Sequence, residues 1–300
     1  METILIAGGT GLIGIHLANY LDKRGYNIRI LSREKKHSNF PIYTWSISEE
    51  FIDKKALVNV DYIINLAGAN IGTKPWTKKR QKQIINSRID GSKLLFDKIN
   101  QLNIPLKGYV GASAIGYYGS ITKKKIFIET DEPTSDFLGN LCFKWEKEAE
   151  KFSSKSIRTI LIRTGVVLTP KGGALEKMIK PINLGFGAVL GNGKQYIPWI
   201  HIEDLCRMYE FAIKKNNLIG VYNAVSPNPV TNKEFTQKLA QQLAKKLWLP
   251  PIPVFVLKLI LGKMSSLVLY GSRISSNKIK KTGFSFNYPK LEKALTNLGV

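Results

Sequence analysis

Short apolar runs alternate with helical patterns along the first two thirds of the chain. Such runs are typical of strands buried on both faces of a parallel sheet, and apolar residues three or four apart mark helices. The predicted strands cover 3–7, 27–31, 62–66, 108–112, 159–163, 166–168 and 221–225, and the predicted helices 12–24, 77–102 and 138–152. This alternation predicts an α/β fold, a Rossmann-type doubly wound parallel sheet with helices on both faces.

The pattern changes after residue 168, where Gly and Pro become dense between Pro170 and Pro198. Further along, Thr231 and Glu234 predict the capping box of a helix. We therefore expect the chain to have two parts. The Rossmann domain is predicted to comprise residues 1–169 and 201–225, and a smaller, mostly α-helical substrate-binding lobe to comprise residues 170–200 and 226–300.

A glycine-rich turn joins the first predicted strand to the first helix. It consists of Gly8, Gly9, Thr10, Gly11, Leu12, Ile13 and Gly14. Glycines permit a tight reversal and let phosphate oxygens approach the backbone, while the helix N-terminus offers N–H groups and partial positive charge. Because strands precede and follow the unit at the expected spacing, we predict a dinucleotide pyrophosphate site rather than a plain strand–helix connection.

The end of the second predicted strand indicates which dinucleotide binds. NAD-binding folds usually carry Asp or Glu there, which bonds the ribose 2′-hydroxyl and repels a 2′-phosphate. This chain has Ser32 followed by Arg33, whose guanidinium can hold a phosphate through two parallel hydrogen bonds. We therefore predict NADP. The competing interpretation is that Arg33 is a solvated surface cation, and the neighbouring Glu34 favours that interpretation.

The bulk composition is ordinary for a globular protein, with 44% hydrophobic and 22% charged residues. Its two cysteines, Cys142 and Cys206, form no CxxC pair, which argues against a disulfide framework or a metal site and fits a cytoplasmic protein. Met1 leads directly into a strand pattern, so no signal peptide is expected. The longest apolar stretch, 247–261, is broken by prolines and a lysine, and no membrane partner is predicted.

The formal net charge of +23 raises the question of a polyanionic partner. Of the 45 cationic residues, 36 are Lys and 9 are Arg, and they lie in short scattered runs. Nucleic-acid recognition favours Arg interleaved with aromatic residues. We therefore predict no specific nucleic-acid partner and interpret the charge as a composition bias that gives non-specific attraction to polyanions.

Sequence signatures spread over nearly the whole chain point to one family. Besides the glycine turn, they lie at 65–71, 86–88, 113–119, 145–146, 163–168, 172–175, 199–204, 227–231, 283–284 and 288–289. With these signatures the chain resembles the extended short-chain dehydrogenases/reductases, and more specifically their atypical epimerase family, also described as nucleoside-diphosphate-sugar epimerase-like proteins. The resemblance implies a Rossmann fold and a small-molecule substrate held between the two predicted parts.

The resemblance also implies which residues contact NADP. The implied contacts are the glycine turn, Ser32, Arg33, Leu66, Ala67, Gly68 and Arg88, with Val166 near the nicotinamide end. The position of Leu66, Ala67 and Gly68 agrees with this, since they follow a strand whose carboxyl end borders the cofactor crevice. The alternative for Arg88 is a solvated cation or a carboxylate partner on a helix.

The usual catalytic pair of the wider superfamily is missing. Its active members use a Ser or Thr followed by a YxxxK arrangement on a helix, in which Tyr is the acid/base and Lys lowers the tyrosine pKa. Ser113 stands at a plausible serine position, but the Tyr and Lys positions fall on Leu138 and Cys142. We therefore predict Ser113, Tyr117 and Tyr118 as candidate catalytic residues, with the alternative that both tyrosines only pack or line the pocket.

The sequence thus supports two functions of different kinds. The first is an NADP-dependent oxidoreductase or epimerase acting on a small hydroxylated or carbonyl substrate, with a nucleotide sugar among the options. The second is an NADP-binding sensor without turnover, favoured by the missing YxxxK. A basic accessory protein bound to nucleic acid or an anionic membrane is a third, weaker interpretation.

Overall fold

The computed structural model describes residues 1–35, 37–122 and 124–300. Its strands are β1 (Thr3–Ala7), β2 (Asn27–Ser32), β3 (Ile42–Ser46), β4 (Phe51–Ile52), β5 (Tyr62–Asn65), β6 (Gly108–Ala114), β7 (Ile126–Phe127), β8 (Arg158–Thr164), β9 (Val166–Leu168), β10 (Tyr196–Ile197), β11 (Trp199–His201), β12 (Gly220–Ala224), β13 (Val230–Thr231) and β14 (Arg273–Ile274).

The α-helices are α1 (Leu12–Asp22), α2 (Lys78–Gln101), α3 (Phe137–Glu150), α4 (Gly173–Asn183), α5 (Ile202–Lys214), α6 (Asn232–Gln242), α7 (Val254–Leu261), α8 (Ser266–Leu269), α9 (Asn277–Lys281) and α10 (Leu291–Asn297). Short 3₁₀ helices occur at Lys54–Ala56, Ile115–Tyr118, Ser153–Lys155 and Gly262–Ser265. Among the described residues, every helix is too short or too polar to cross a bilayer.

The central sheet has the strand order β12-β8-β6-β5-β1-β2-β3-β4. Neighbouring strands run parallel, except that β4 is antiparallel to β3. The order reverses at β1, whose Ala7 is in register with Leu31 of β2 on one side and with Asn65 of β5 on the other. A ligand crevice forms outside the carboxyl ends of the strands at such a reversal, so the fold places a site there.

Helices cover both faces of the sheet and build two hydrophobic cores. On one face Leu17 of α1 and Leu205 of α5 lie in a cluster that also contains Leu239 of α6 and Leu295 of α10. On the other face the helices α2 and α3 contribute to a second cluster, in which the Tyr109 and Phe152 rings stack at 3.9 Å. Burial on both faces explains why the inner strands are continuous apolar runs.

The predicted α/β doubly wound fold is confirmed. The strand β3 was not predicted from the sequence, because Ile42–Ser46 mixes Tyr, Thr and Ser into a half-buried segment rather than a continuous apolar run. The helix α4 was also not predicted, since its Gly173–Asn183 segment lies in the Gly- and Pro-rich stretch and carries Pro181. The division of the chain into a Rossmann domain and a smaller lobe stays a prediction.

The end of the chain is fixed to α5 by a buried carboxylate. Asp204 accepts hydrogen bonds from the backbone N–H groups of Asn287 and Tyr288, at 2.7 and 2.9 Å. Arg207 on the next turn of α5 donates to the same carboxylate at 3.0 Å. A carboxylate in the first turn also complements the helix dipole, so Asp204 stabilises α5 as well as anchoring the final segment.

Candidate functional site

The glycine-rich turn lies at the carboxyl end of β1 and is closely packed. Gly8 has a φ of +78°, a conformation that favours glycine, and a Cβ there would lie 3.0 Å from the backbone of Ala67. A Cβ on Gly14 would lie 2.5 Å from the carbonyl oxygen of Gly8, and one on Gly9 2.8 Å from the side chain of Ile30. Side chains are thus excluded at Gly8, Gly9 and Gly14 by the backbone of the turn and by the neighbouring segments.

The helix α1 starts at this turn without a side-chain cap. Gly11 is its N-cap residue, and no side chain accepts a hydrogen bond from the first turn. The first N–H groups of a helix have no intrahelical partners and carry partial positive charge. The turn and the N-terminus of α1 therefore form a cradle suited to a phosphate, at the reversal point of the sheet.

The end of β2 has a hydroxyl and a guanidinium where many dinucleotide sites have an acid. Ser32 is buried, and its Oγ lies 3.3 Å from the Oγ1 of Thr10 in the glycine turn. Arg33 is exposed and lines an open groove of about 1140 Å³. Ser46 at the end of β3 and Ala69 after β5 line the same groove, so it includes part of the carboxyl edge of the sheet, and it continues along α2 to Gln101.

A buried amide shapes the turn after β5. The side-chain oxygen of Asn65 accepts a hydrogen bond from the N–H of Ala67 at 3.1 Å. Its amide nitrogen donates to Ser92 and to the hydroxyl of Tyr109, at 3.1 and 3.0 Å. This fixes the turn formed by Leu66, Ala67 and Gly68 against Gly8, so two of the predicted cofactor-binding segments are packed together.

Arg88 of α2 lies against that turn. A Cβ on Gly68 would lie 2.8 Å from the guanidinium carbon of Arg88. The guanidinium donates to the carbonyl oxygens of Ala69 and Ile84, both at 3.1 Å, and lies 5.1 Å from the ring of Trp145. Among the described residues Arg88 forms no ion pair with a carboxylate, and burial lowers its pKa to about 10. It remains a cation at neutral pH, with an anion as its natural partner.

The candidate catalytic residues meet in a buried polar network below the carboxyl end of β6. Ser113 donates to Oε1 of Glu146 at 2.5 Å, and Arg163 of β8 holds the same carboxylate through two hydrogen bonds of 2.8 Å. Arg163 also donates to the hydroxyl of Tyr118 at 2.9 Å, and its guanidinium lies 3.3 Å from the ring centre of Tyr117. The three predicted residues are therefore brought together by one ion pair.

The hydroxyl of Tyr118 is held on both sides. Besides accepting from Arg163, it donates to the side-chain oxygen of Asn223 at 2.7 Å. Burial raises the pKa of Tyr118 to about 12, and burial raises the pKa of Tyr117 as well, in both cases against the opposing effect of Arg163. Both phenols are therefore protonated at neutral pH.

The face of α3 that carries Leu138 and Cys142 lies beside Gly116. A Cβ on Gly116 would lie 3.2 Å from the Cβ of Leu138 and 3.5 Å from the sulfur of Cys142. Burial raises the pKa of the Cys142 thiol to about 12, so it is a neutral thiol at physiological pH. Leu138 packs against the apolar cluster of Trp76, Ile84 and Leu141, which makes this side of α3 an apolar wall.

A family model described as the NAD dependent epimerase/dehydratase family matches residues 4–225 of this chain. The chain belongs to this family. A second model, a domain of unknown function designated DUF1731, matches residues 252–298. The family that the sequence signatures indicated is thereby confirmed.

Named relatives extend the likeness over the whole chain. The epimerase family protein YfhF of Bacillus subtilis is 36% identical over 298 residues, which cover 98% of this chain and 97% of that protein. The crystal structure of human epimerase family protein SDR39U1 (isoform 2) with NADPH is 31% identical, has a TM-score of 0.89 and covers 99% of both chains. A nucleoside-diphosphate sugar epimerase from Corynebacterium glutamicum is 27% identical, with a TM-score of 0.80 over 98% of this chain and 57% of its own.

Family membership and geometry separate the predicted residues into two groups. The glycine turn, Ser32, Arg33, the turn after β5 and Arg88 all lie along the carboxyl edge at the sheet reversal. Val166 lies further along the edge, in β9, where it pairs with Trp199 of β11. Their contacts with a cofactor and the catalytic roles of Ser113, Tyr117 and Tyr118 stay predictions.

Sequence reasoning missed Glu146 and Arg163 as members of the site. Both residues stand out in the pattern of apolar residues. Arg163 ends an apolar strand run, and Glu146 follows Trp145 on the inward face of α3. Ionised residues at such positions are rarely buried without a partner. Pairing the charge in this strand with an opposite charge on the preceding helix would have suggested this ion pair.

Proposed function

We propose that this epimerase-family protein binds NADP(H) at the carboxyl edge of β1, β2 and β5. The proposal depends on the close-packed glycine cradle and on Arg88 beside it, which has no carboxylate partner among the described residues. The cradle excludes side chains and offers the N-terminus of α1 to a phosphate, and Arg88 supplies a positive charge that no described carboxylate neutralises. The NADPH in the human SDR39U1 structure supports the same assignment.

The choice of NADP over NAD rests on the end of β2. Ser32 and Arg33 leave this end without an acid that would repel a 2′-phosphate, and Arg33 projects into the open groove. A guanidinium can hold a phosphate through two hydrogen bonds. The groove is also lined by the cations Lys74, Arg80, Lys93 and Lys98 and by acids that include Glu49 and Asp90, and Arg33 is the lining cation that directly follows β2.

Titration of NADPH and NADH fluorescence with the purified protein tests the cofactor choice. Arg33→Ala should weaken NADPH binding roughly tenfold or more, since a hydrogen bond to a charged group contributes about 1.5–3 kcal/mol, and should leave NADH binding unchanged. Lys54→Ala removes an exposed cation from a distant 3₁₀ helix and serves as the control for net charge. Equal losses in both variants would assign the effect to long-range charge and remove Arg33 from the proposal.

We further propose that the protein is an oxidoreductase or epimerase acting on a small hydroxylated or carbonyl compound. When bound, the nicotinamide supplies hydride transfer. The protein's part is to hold the proton that accompanies it: Ser113, Tyr117 and Tyr118 carry hydroxyl protons, and Arg163 and Glu146 orient them. The raised pKa values of Tyr117 and Tyr118 keep both phenols protonated at neutral pH and make each a weaker acid than an exposed tyrosine.

An NADP-binding sensor without turnover is the second candidate. It is favoured by the apolar wall at the position of the usual YxxxK pair, where Leu138 packs against an apolar cluster and the Cys142 thiol is neutral. In that case the protein signals by whether NADP(H) is bound in the cradle.

One assay separates the two candidates. NADPH absorbance is followed with panels of sugar nucleotides, ketones and aldehydes, and binding is measured in parallel by fluorescence. Turnover that falls in Tyr117→Phe while NADPH binding is unchanged supports the enzyme and its site. Tight NADPH binding with no turnover on any compound supports the sensor, and turnover that survives Ser113→Ala, Tyr117→Phe and Tyr118→Phe would refute the proposed catalytic residues.

A further inference from the structure

A cluster of large apolar side chains projects into solvent from the segments 184–191 and 247–260. Trp248, Phe255, Leu259 and Ile260 are 69%, 71%, 84% and 71% exposed, and Leu184 and Phe186 at the end of α4 are similarly open. In α7 only Leu257 is buried, although seven of the eight residues of VFVLKLIL are apolar. A contiguous exposed apolar surface of this kind marks an interaction site.

The two segments form one surface because they run side by side. The N–H of Ile252 donates to the carbonyl of Val189 at 2.8 Å, and Gly191 donates back to Ile252 at 2.9 Å. A Cβ on Gly187 would lie 2.9 Å from the side chain of Leu247, next to Trp248. We call the exposed apolar residues of 184–186, 248 and 255–260 the apolar face.

The chain segments that carry the apolar face have charge of one sign. Residues 235–291 contain ten Lys and Arg and no Asp or Glu, and residues 177–202 likewise contain no acid. The exposed lysines nearest to the face in sequence are Lys245, Lys246, Lys258 and Lys263. Cations occur here at a density similar to that of the rest of the chain, so the distinguishing feature is the absence of acids.

We infer that the apolar face docks onto an anionic lipid surface. An apolar helix face rimmed by lysines, with tryptophan at its edge, is the combination that inserts into the headgroup region of a bilayer. Binding at a surface needs no spanning length, so the broken apolar stretch that excluded a transmembrane segment does not oppose it.

Charge complementarity selects this occupant over a second copy of the chain. Two copies meeting through the apolar face would bring two acid-free basic rims together in a protein of net charge +23, which is unfavourable. Nucleic acid would be attracted by the lysines but offers no apolar phase for Leu259 or Ile260. An anionic bilayer satisfies both the charge and the apolar area.

Trp248 provides a direct readout. The chain has five tryptophans, and Trp45, Trp76, Trp145 and Trp199 are buried, so solvent-sensitive emission comes from Trp248. Addition of vesicles of phosphatidylcholine mixed with phosphatidylglycerol should shift its emission to the blue, and Trp248→Phe should abolish the shift. Pure phosphatidylcholine vesicles should give a much smaller shift, because they lack the anionic headgroups.

Matched variants separate this surface from general basicity. In vesicle co-sedimentation, Phe255→Ser with Leu259→Ser should lose binding, whereas Phe51→Ser with Val58→Ser, exposed apolar residues elsewhere, should bind as wild type. Lys245→Gln with Lys246→Gln should weaken binding by about fivefold per lysine, more than Lys54→Gln with Lys55→Gln. Circular dichroism of each variant establishes that it is folded.

Several outcomes would overturn the inference. They are absence of a blue shift with anionic vesicles, equal loss of binding in the paired variants, a blue shift produced equally by duplex DNA, and a concentration-dependent shift without lipid, which would indicate self-association through the apolar face. These measurements use the protein without cofactor, so their result is independent of the proposed NADP site.

Discussion

Arg163 and Glu146 form a two-pronged ion pair, with Nε to Oε1 and Nη2 to Oε2 both at 2.8 Å. Their side chains are 3% and 5% exposed. Burial alone would lower the pKa of Arg163, but the hydrogen bonds and charge of Glu146 hold it above its ordinary value. The pair connects α3 to β8 and supports the hydroxyls of Ser113 and Tyr118, so it determines whether the candidate catalytic groups keep their positions.

Replacement of Glu146 by Gln should destabilise the protein strongly. The amide keeps the shape of the side chain but leaves the Arg163 charge buried without its counter-ion, which costs about 3–5 kcal/mol. Urea unfolding followed by circular dichroism measures the loss. Glu150→Gln, which removes an exposed pair with Lys147 on the same helix, should cost less than about 1 kcal/mol. Equal effects of the two variants would show that the buried pair has no special role.

Replacement of Gly14 by Ala should impair both folding and cofactor binding. The new Cβ would lie 2.5 Å from the Gly8 carbonyl oxygen, so the turn must shift, at a cost of about 1–3 kcal/mol. NADPH affinity, measured by fluorescence titration, should fall by roughly tenfold or more because the cradle no longer fits the phosphates. Gly72→Ala is the control, since its Cβ would meet nothing closer than 3.7 Å. Wild-type affinity in Gly14→Ala would contradict the proposed cradle.

The parts of the fold that could be predicted are those that a short continuous stretch of sequence defines. The βαβ unit of β1, α1 and β2 was located to within about two residues, because apolar spacing and the glycine turn define it locally. The strand β3 could not be found this way, since it becomes a strand only by pairing with β2, with Leu31 opposite Tyr43. Its sequence, IYTWS, is rich in strand-favouring residues, but it is not the continuous apolar run expected of a strand that is buried on both faces.

The candidate site shows the same division. The phosphate cradle is one short segment, so its residues could be named from their order in the chain. The network around Ser113 draws Glu146 from α3, Arg163 from β8 and Asn223 from β12, and none of these is near Ser113 in sequence. Such groupings arise from the parallel register of β6, β8 and β12, which a hydrophobic pattern predicts as a sheet but not residue by residue.

Stability should fall at alkaline pH because two thiols are buried. Burial raises the pKa of Cys142 and of Cys206 to about 12, above the ordinary thiol value of 9.0. A raised folded-state pKa of an acidic group gives stability that is complete below the unfolded pKa and is lost as pH rises towards the folded pKa. Between about pH 9 and 12 each thiol therefore contributes a slope of about −1.4 kcal/mol per pH unit to the free energy of unfolding.

Urea unfolding at a series of pH values from neutral to alkaline tests this contribution. The double variant Cys142→Ala with Cys206→Ala should show a shallower decline above pH 9 than wild type. The tyrosines titrate in both proteins, so the difference between the two curves isolates the thiols. Parallel curves would show that the thiols ionise equally in the folded and unfolded states.

Arg88 should be the residue whose removal separates binding from stability most clearly. Its guanidinium is held by two backbone carbonyls and has no carboxylate partner among the described residues, so the folded protein bears the cost of a poorly solvated charge. Arg88→Met keeps the length of the side chain and removes that charge. The free energy of unfolding of the cofactor-free protein should therefore rise, or fall by less than about 1 kcal/mol.

NADPH affinity of the same variant should fall by roughly tenfold or more, because a charge-assisted contact to the anionic ligand is lost. Arg29→Met is the control, because Arg29 of β2 also donates to backbone carbonyls, those of Ala56 and Val58, and is not a predicted cofactor contact. Affinity should be retained there. A loss of stability above about 2 kcal/mol in Arg88→Met, with NADPH affinity unchanged, would make Arg88 a structural residue that ties α2 to the turn after β5.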